Sequence, residues 1–377
     1  MARSGRRSAV IADAKFRRSM IDGESVCLLL DALVERDPGR YSSWRFGNRE
    51  SVERVPSHEV LLKPRLSDLL RAVVVWSRSD LTEAFALREL LFGFPKPMRR
   101  LPLLGLCQLP QWFWFLYVFA GVRLFAGPAA RFASGFDELL VVCFYNTRSL
   151  ALVRAFRAAS KEVLDVQHGL IGPTHPAYAN RQFWQSGSLL APTGFLVWNE
   201  QARAFLERTT GRPARIREFD DSYFFPDLQG RARDARPCVL VSLQWGTVLP
   251  LPVIDMITQL DGVRWILRPH PRDPIRPTER PDCQRLSAFS HVEISDPTQA
   301  LLPTLIRCDL HVTENSSVVI EAAAIGRPSI FWDRSYAEAF ESETRSGLAR
   351  GASPDEIQEL VRQALWPSTP ADTPVSD

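Results

Sequence analysis

Three short stretches of this 377-residue chain combine residue types that handle protons and phosphate groups. The first is Gln167, His168 and Gly169, inside VLDVQHGLIGPTHPAY. It follows an apolar run that reads as a buried strand, so the imidazole falls at the carboxyl edge of a sheet, where open α/β folds bind their ligands. A histidine there titrates near neutrality and can act as a general base. Gly169 and Gly172 would let the loop pass close to a substrate, with His175 and Tyr178 within reach. The bland reading, a structural histidine hydrogen-bonded in a loop, is weakened by the clustering of two histidines, a tyrosine and several Gly/Pro breakers.

The second stretch is Arg268, Pro269, His270 and Pro271, closing the run VRWILR. The prolines remove backbone donors and end the strand, which predicts Arg268 and His270 exposed at its carboxyl end and able to hold phosphate oxygens or a nucleobase. As a bare motif His-Pro is weak, and its location carries the weight. The third is Thr313, Glu314, Asn315, Ser316 and Ser317, leading into VVIEAAAIGRPSIFWD. A strand turning into a helix with hydroxyl residues at its start gathers free N–H groups at a positive helix end, a phosphate site. Simple capping would account for one serine but not for the whole arrangement. Glu321, one turn in, is placed either to reach a ribose or sugar or to lie on a solvated face. A minor fourth feature, SLQWGT from Ser242 to Thr247, is a strand-to-helix turn around Gly246 of the kind that borders an interdomain cleft.

The elements needed to hold these residues are short β-branched runs alternating with helical patterns. In the amino half, Ala72–Trp76, Leu139–Phe144, Glu162–Val166 and Gly194–Trp198 read as strands, with helices over Asp80–Leu91, Ser149–Lys161 and from Glu200. In the carboxyl half, strands are predicted at Cys238–Ser242, Val263–Arg268, Val292–Ser295, Leu310–Thr313 and Ser329–Trp332. Helices are predicted there at Leu251–Leu260, Thr298–Ile306, Ser317–Ile325 and Pro354–Leu365. Such alternation implies parallel sheets covered on both faces. The charged, Pro- and Gly-containing stretch Phe219–Arg236 reads as a linker, with a boundary near residue 230. The expected organisation is a basic lead at 1–20, an amino-terminal Rossmann-like domain at 21–230, a second Rossmann-like domain at 231–366 and an unstructured tail at 367–377.

A net charge of +3 is too mild to demand nucleic acid. The basic lead lacks the apolar core of a secretory signal, which predicts a cytoplasmic protein. The six cysteines show no C-x-x-C pair and no zinc-finger spacing, so neither disulfides nor a structural metal is expected. The hydrophobic segment 101–127, LPLLGLCQLPQWFWFLYVFAGVRLFAG, is interrupted by Gln108, Pro110 and Gln111, which argues against a membrane span of about 20 apolar residues. Its aromatic residues fit either a helix lying in the inner-membrane interface or a buried core helix. No Walker A, G-x-G-x-x-G, H-E-x-x-H or G-x-S-x-G pattern occurs, against the common nucleotide-hydrolysing, dehydrogenase, metalloprotease and hydrolase classes.

Taken together, His-Gly after an amino-domain strand, R-x-H-P after a carboxyl-domain strand, and T-E-N-S-S-x-x-x-E-A-x-x-x-G-x-P before a final strand resemble the GT-B glycosyltransferase superfamily, over roughly residues 138–335. Within it, they are similar to the capsule, lipopolysaccharide and teichoic-acid enzymes, including the glycerophosphotransferases and the bacterial Kdo and sialyltransferases. The resemblance implies an α/β fold of two Rossmann-like domains facing across a cleft. It implies transfer of a sugar or polyol phosphate from a CMP-, CDP- or UDP-linked donor to a cell-surface glycan or lipid-linked acceptor, without metal or other cofactor. His168 would then be the base, with Arg268, His270, Thr313, Glu314, Asn315, Ser316, Ser317 and Glu321 on the donor side. Gln167, Gly169, His175, Tyr178 and Gly246 would line the acceptor or cleft loops. The catalytic D/E-D/E-G motif of the sialyltransferases is not evident, against a sialic acid donor. A nucleotide-sugar epimerase of the same fold and a non-catalytic scaffold remain the alternatives.

Overall fold

The structure is a computed structural model that describes residues 7–13, 19–21, 24–27, 29–46, 53, 55–67, 78–92, 109–173, 175–217, 236–244, 246–271, 273 and 275–366. The chain forms two compact units that divide between Glu218 and Phe219, with Ser19–Ile21 grouped in the second. The boundary expected near 230, nearly all of the linker, the strand expected at 72–76, the segment 101–108 and the tail 367–377 lie outside the described residues.

The amino-terminal unit is built on a seven-stranded parallel sheet. Its spatial order is His58–Glu59, Tyr41–Phe46, Ser8–Asp13, Glu138–Val142, Glu162–Val166, Gly194–Val197 and Ala214–Ile216. The direction of strand succession reverses between Ser8–Asp13 and Glu138–Val142, the switch point of a doubly wound sheet. Every residue of Glu138–Val142 is buried. Leu139 and Val141 pack with Ile11 and Val163 on one face, Leu140 and Val142 with Val10 and Leu164 on the other. Burial on both faces is why such a strand reads as an unbroken apolar run. The next helix, Thr147–Ala158, begins where Asn146 Oδ1 accepts the Ser149 N–H at 2.8 Å, a cap worth ~1 kcal/mol.

Residues 8–13, expected within a basic lead, are a central strand whose Ala9, Val10, Ile11 and Ala12 are wholly buried. Four apolar residues between arginine-rich flanks are enough once both neighbouring strands supply partners. The hydrophobic segment continues as one helix, Leu109–Ala133, with Pro110 in the first turn, where a missing N–H costs little. Its Phe115, Val118, Phe119, Val122 and Ala129 join the core, whereas Leu116 and Tyr117 are exposed. The stretch Phe115–Ala133 is long and apolar enough to cross a membrane, and 33% of it is buried.

The carboxyl-terminal unit repeats the plan with six parallel strands. Their order is Val292–Ile294, Arg264–Arg268, Cys238–Ser242, Leu310–Thr313, Ser329–Phe331 and Ala349–Gly351. The switch point lies between Cys238–Ser242 and Leu310–Thr313. Helices Leu251–Gln259 and Ile357–Leu365 cover the face of Val239, Val241, Trp265 and Leu267. On the opposite face Cys238 and Cys308, far apart in the chain, bring their buried thiols within 3.4 Å.

Candidate functional site

In the amino-terminal unit the polar residues gather where Glu138–Val142 and Glu162–Val166 end. The first strand stops in a turn at Cys143, a non-glycine residue with φ of 65°. The left-handed conformation costs about 1 kcal/mol or more for a residue with a Cβ. Asp165, on the neighbouring strand, holds the turn: its Oδ1 accepts the Phe144 N–H at 3.1 Å. Its Oδ2 accepts the Tyr178 hydroxyl at 2.7 Å. Burial pushes the Asp165 carboxyl up to about 7, against those two hydrogen bonds. Burial likewise raises the Tyr178 hydroxyl well above its ordinary range.

The turn projects Tyr145 between two histidines. Its hydroxyl lies 3.1 Å from Nε2 of His168 and 3.4 Å from Nε2 of His175. The His175 ring sits against Tyr178, with centroids 4.6 Å apart, and burial lowers its pKa. Gln167 is buried and acts as a clamp: its Oε1 accepts the Trp198 N–H at 2.8 Å and its Nε2 donates to the Gly169 carbonyl at 2.9 Å. It thereby ties the His168 loop to the end of Gly194–Val197. A Cβ placed on Gly169 would meet only open space. His168, His175 and Tyr178 are therefore brought together as the spacing suggested, although Tyr178 is fully buried and faces Asp165. Tyr145 and Asp165 were not singled out from sequence. The signal available was a polar residue just past an apolar strand, in CFYN.

In the carboxyl-terminal unit Thr313 and Ser242 meet at the switch point. Ser242 Oγ lies 2.7 Å from His311 Nε2 and 3.2 Å from Thr313 Oγ1, which in turn donates to the Ser242 carbonyl at 2.9 Å. His311 Nδ1 is 3.0 Å from Ser329 Oγ, so one wholly buried imidazole links three strands. Beyond the strand ends, Thr247 donates its hydroxyl to Glu314 at 2.8 Å, and its carbonyl accepts from Arg280 at 2.5 Å. Arg280 is itself buried and paired with Asp273 at 2.5 Å and Asp282 at 2.8 Å. Gly246 turns this loop with φ of 73°. Arg280, Asp273, Asp282 and His311 had not been anticipated, because their partners lie on different loops and strands.

The placement of Arg268 differs from the expectation of an exposed phosphate ligand. It is 8% exposed, and its guanidinium donates to the carbonyls of Asp296 at 3.3 Å, Pro297 at 3.2 Å and Gln299 at 2.5 Å. Burial lowers its pKa, with Glu321 and Asp296 opposing. The prolines end the strand as foreseen, but the guanidinium turns under the 296–299 loop. His270 is half-buried, and its carbonyl accepts the Asp273 N–H at 2.9 Å. The helix after Ser317 is only seven residues, Val318–Ala324, and Ser317 makes no side-chain cap. Ser316, 7% exposed, accepts the Val318 N–H at 3.3 Å instead. Asn315, Ser317 and Glu321 are half-buried beside it.

No protein-family model matches the chain, and no curated protein sequence matches it. Solved structures do. A putative UDP-N-acetylglucosamine 2-epimerase from Listeria monocytogenes superposes with a TM-score of 0.53 at 13% identity, covering 96% of this chain and 88% of that one. The UDP-GlcNAc 2-epimerase from Neisseria meningitidis bound to UDP-GlcNAc gives 0.51 at 12% identity, over 95% and 91%. The calicheamicin glycosyltransferase CalG4 gives 0.51 at 14% identity, over 96% and 91%. These likenesses span both units, and with the two parallel-sheet α/β units they establish that the chain has the GT-B fold, one shared by nucleotide-sugar enzymes.

Proposed function

We propose that the chain is a metal-independent glycosyltransferase. It takes a sugar or polyol phosphate from a CMP-, CDP- or UDP-linked donor and adds it to a glycan or lipid-linked acceptor of the cell surface, such as capsule or O-antigen. His168 is the base that removes the proton of the acceptor hydroxyl. The observation that carries this reading is the half-buried His168 at the carboxyl end of a parallel strand, its Nε2 held 3.1 Å from a tyrosine hydroxyl.

Donor recognition is assigned to the carboxyl-terminal unit, around His270, Thr313, Glu314, Asn315, Ser316 and Ser317, with Glu321 nearby. Arg268 supports the loop beneath rather than touching the donor. Gly169, His175 and Gly246 lie on loops that meet ligand, and Gln167 and Tyr178 hold those loops in place. An epimerase would need carboxylates facing the sugar. Among the described residues, the carboxylate hydrogen-bonded into the His168 cluster is Asp165, which is buried and committed to Phe144 and Tyr178. The exposed Leu116 and Tyr117 support a peripheral contact with the inner face of the cytoplasmic membrane, where a lipid-linked acceptor would be met.

The test is a thermal-shift panel of CMP, CDP, UDP, GDP and ADP, followed by a transfer assay with the donor of the selected nucleotide. A ligand at 100 times its Kd stabilises by ~2.7 kcal/mol. Selective stabilisation by one pyrimidine nucleotide, with transfer lost in His168→Ala at unchanged melting temperature, is the expected result. Silence across the panel refutes the reading and leaves a non-catalytic scaffold.

A further inference from the structure

We propose that Asp165 is a positioning residue for the His168 site: its buried carboxylate ties the turn that carries Tyr145 and the helix that follows His175 to one strand, and so sets where those side chains stand. The proposal deepens the glycosyltransferase reading and rests on the site being the one that contains His168.

The strand Glu162–Val166 has no need of a carboxylate for its own sake. Asp165 is 1% exposed and lies between Val163 and Gln167 on one face of the strand, in a core that includes Phe144, Tyr178 and Phe195. Among the described residues no cation pairs with it, and burial raises its pKa to about 7 even with two hydrogen bonds made. A buried carboxylate without a counter-ion works against folding wherever it is ionised. Groups kept at such a disadvantage gather at functional sites.

The two bonds lead to the two sides of the site. Oδ1 accepts the Phe144 N–H at 3.1 Å, which fixes the left-handed turn at Cys143 and places Tyr145, the next residue. Oδ2 accepts the Tyr178 hydroxyl at 2.7 Å and so holds the helix Pro176–Ala179. Tyr178 in turn holds His175: its N–H donates to the His175 carbonyl at 3.1 Å, and the two rings lie 4.6 Å apart. The strand itself runs on into Gln167 and His168. Tyr145, His168 and His175 come from three segments, and all three are referred to this strand, with the Tyr145 hydroxyl 3.1 and 3.4 Å from the two Nε2 atoms.

An ionised carboxylate accepts through both oxygens, which suits two donors. Asparagine has the same shape but offers one oxygen and one NH2 group. The Phe144 N–H can only donate, so the amide oxygen must face it and the NH2 group turns towards Tyr178. The phenol must then accept and send its hydrogen elsewhere, and a neutral bond of about half the strength replaces a charge-assisted one. Asp165→Asn therefore keeps the turn, loosens the His175 side and removes the buried charge. Stability and activity should move in opposite directions, which a residue serving only the fold would not produce.

The experiment compares wild type, Asp165→Asn, Tyr178→Phe and the double variant as full chains at pH 8, by melting and in the transfer assay. Asp165→Asn should melt higher than wild type yet lower kcat about tenfold or more, with the donor KM unchanged. Tyr178→Phe should lower kcat to a similar extent, and the double variant should be no slower than the slower single one, because one bond is lost in each. A wild-type kcat in Asp165→Asn overturns the proposal, and so does a loss of kcat that comes with a lower melting temperature. If the wild-type chain transfers from none of the donors, the glycosyltransferase reading fails, and the histidine ring signals in 1H–13C correlation spectra decide the positioning role. Assigned with His168→Gln and His175→Gln, the His175 signal should move in Asp165→Asn while those of His291 and His311 in the other unit stay. A His175 signal that does not move overturns the proposal.

Discussion

Acidification should weaken the carboxyl-terminal unit through one residue, His311. The ring is wholly buried, with Nε2 against Ser242 and Nδ1 against Ser329, and burial pulls its pKa down to about 3. In the unfolded chain the same ring titrates near ~6.5. Between those values the unfolded state binds one proton more than the folded state, so stability rises with pH across the window and is complete above its upper end. Each pH unit inside the window is worth ~1.4 kcal/mol, so moving from pH 7 to pH 5 should cost about 2 kcal/mol through this ring alone. The assay is hydrogen exchange read by mass spectrometry on peptides spanning Cys238–Ser242 and Leu310–Thr313, in a urea series at pH 7, 6 and 5. His311→Asn supplies the control, since its amide stands where Nδ1 met Ser329 but does not titrate. The pH slope should fall in the variant by the amount computed. Equal slopes in both proteins, or a His311 ring that protonates near pH 6.5 in the folded chain, would refute the reasoning.

The amino-terminal unit should show the opposite sign at Asp165, whose carboxyl is raised to about 7. That contribution is present below the unfolded carboxyl pKa and is lost as pH rises through 7, so Asp165→Asn should stabilise by roughly 2–4 kcal/mol at pH 8 and hardly at all at pH 4, as melting at the two pH values will show. Arg268→Met strips three backbone carbonyls of their donor and should cost ~2–4 kcal/mol in urea denaturation; a loss of nucleotide affinity at unchanged stability would instead return Arg268 to the donor site. Gly194→Ala brings a Cβ to 2.8 Å from the Pro213 carbonyl oxygen and should destabilise by ~1–3 kcal/mol, whereas Gly169→Ala should melt like wild type.

What could be seen in the residues, and what could not, follows from where the information sits. Runs such as ELLVV, CVLVS and LHVT are buried on both faces, and each announces its strand without help from the rest of the chain. Ser8–Asp13 was hidden by arginines on either side, and Tyr41–Phe46 by its half-exposed Tyr41, Ser42 and Trp44. Ala214–Ile216 and Ala349–Gly351 are three-residue strands at sheet edges, defined by the neighbour they pair with. At the site, His168 and Thr313 were legible because they end clear strands. Tyr145 was not, because nothing in a cysteine foretells a left-handed turn. Arg268 was misplaced because the direction of a guanidinium depends on the 296–299 loop, which comes later in the chain.

The position of Ser8–Asp13 also bears on how the protein is made. Ser8 pairs with Glu138 through a side-chain hydrogen bond 130 residues away in sequence, and the strand is central in its sheet. At about 5–20 residues per second, a ribosome takes roughly 6–26 s to supply that partner. During this interval the edge of Ser8–Asp13 that faces Glu138–Val142 stays unpaired, which is an opportunity for chaperones and a hazard for self-association. The local alternation from Glu138 to Val197 needs no such wait, so those strands should pair with one another first and take up Ser8–Asp13 afterwards.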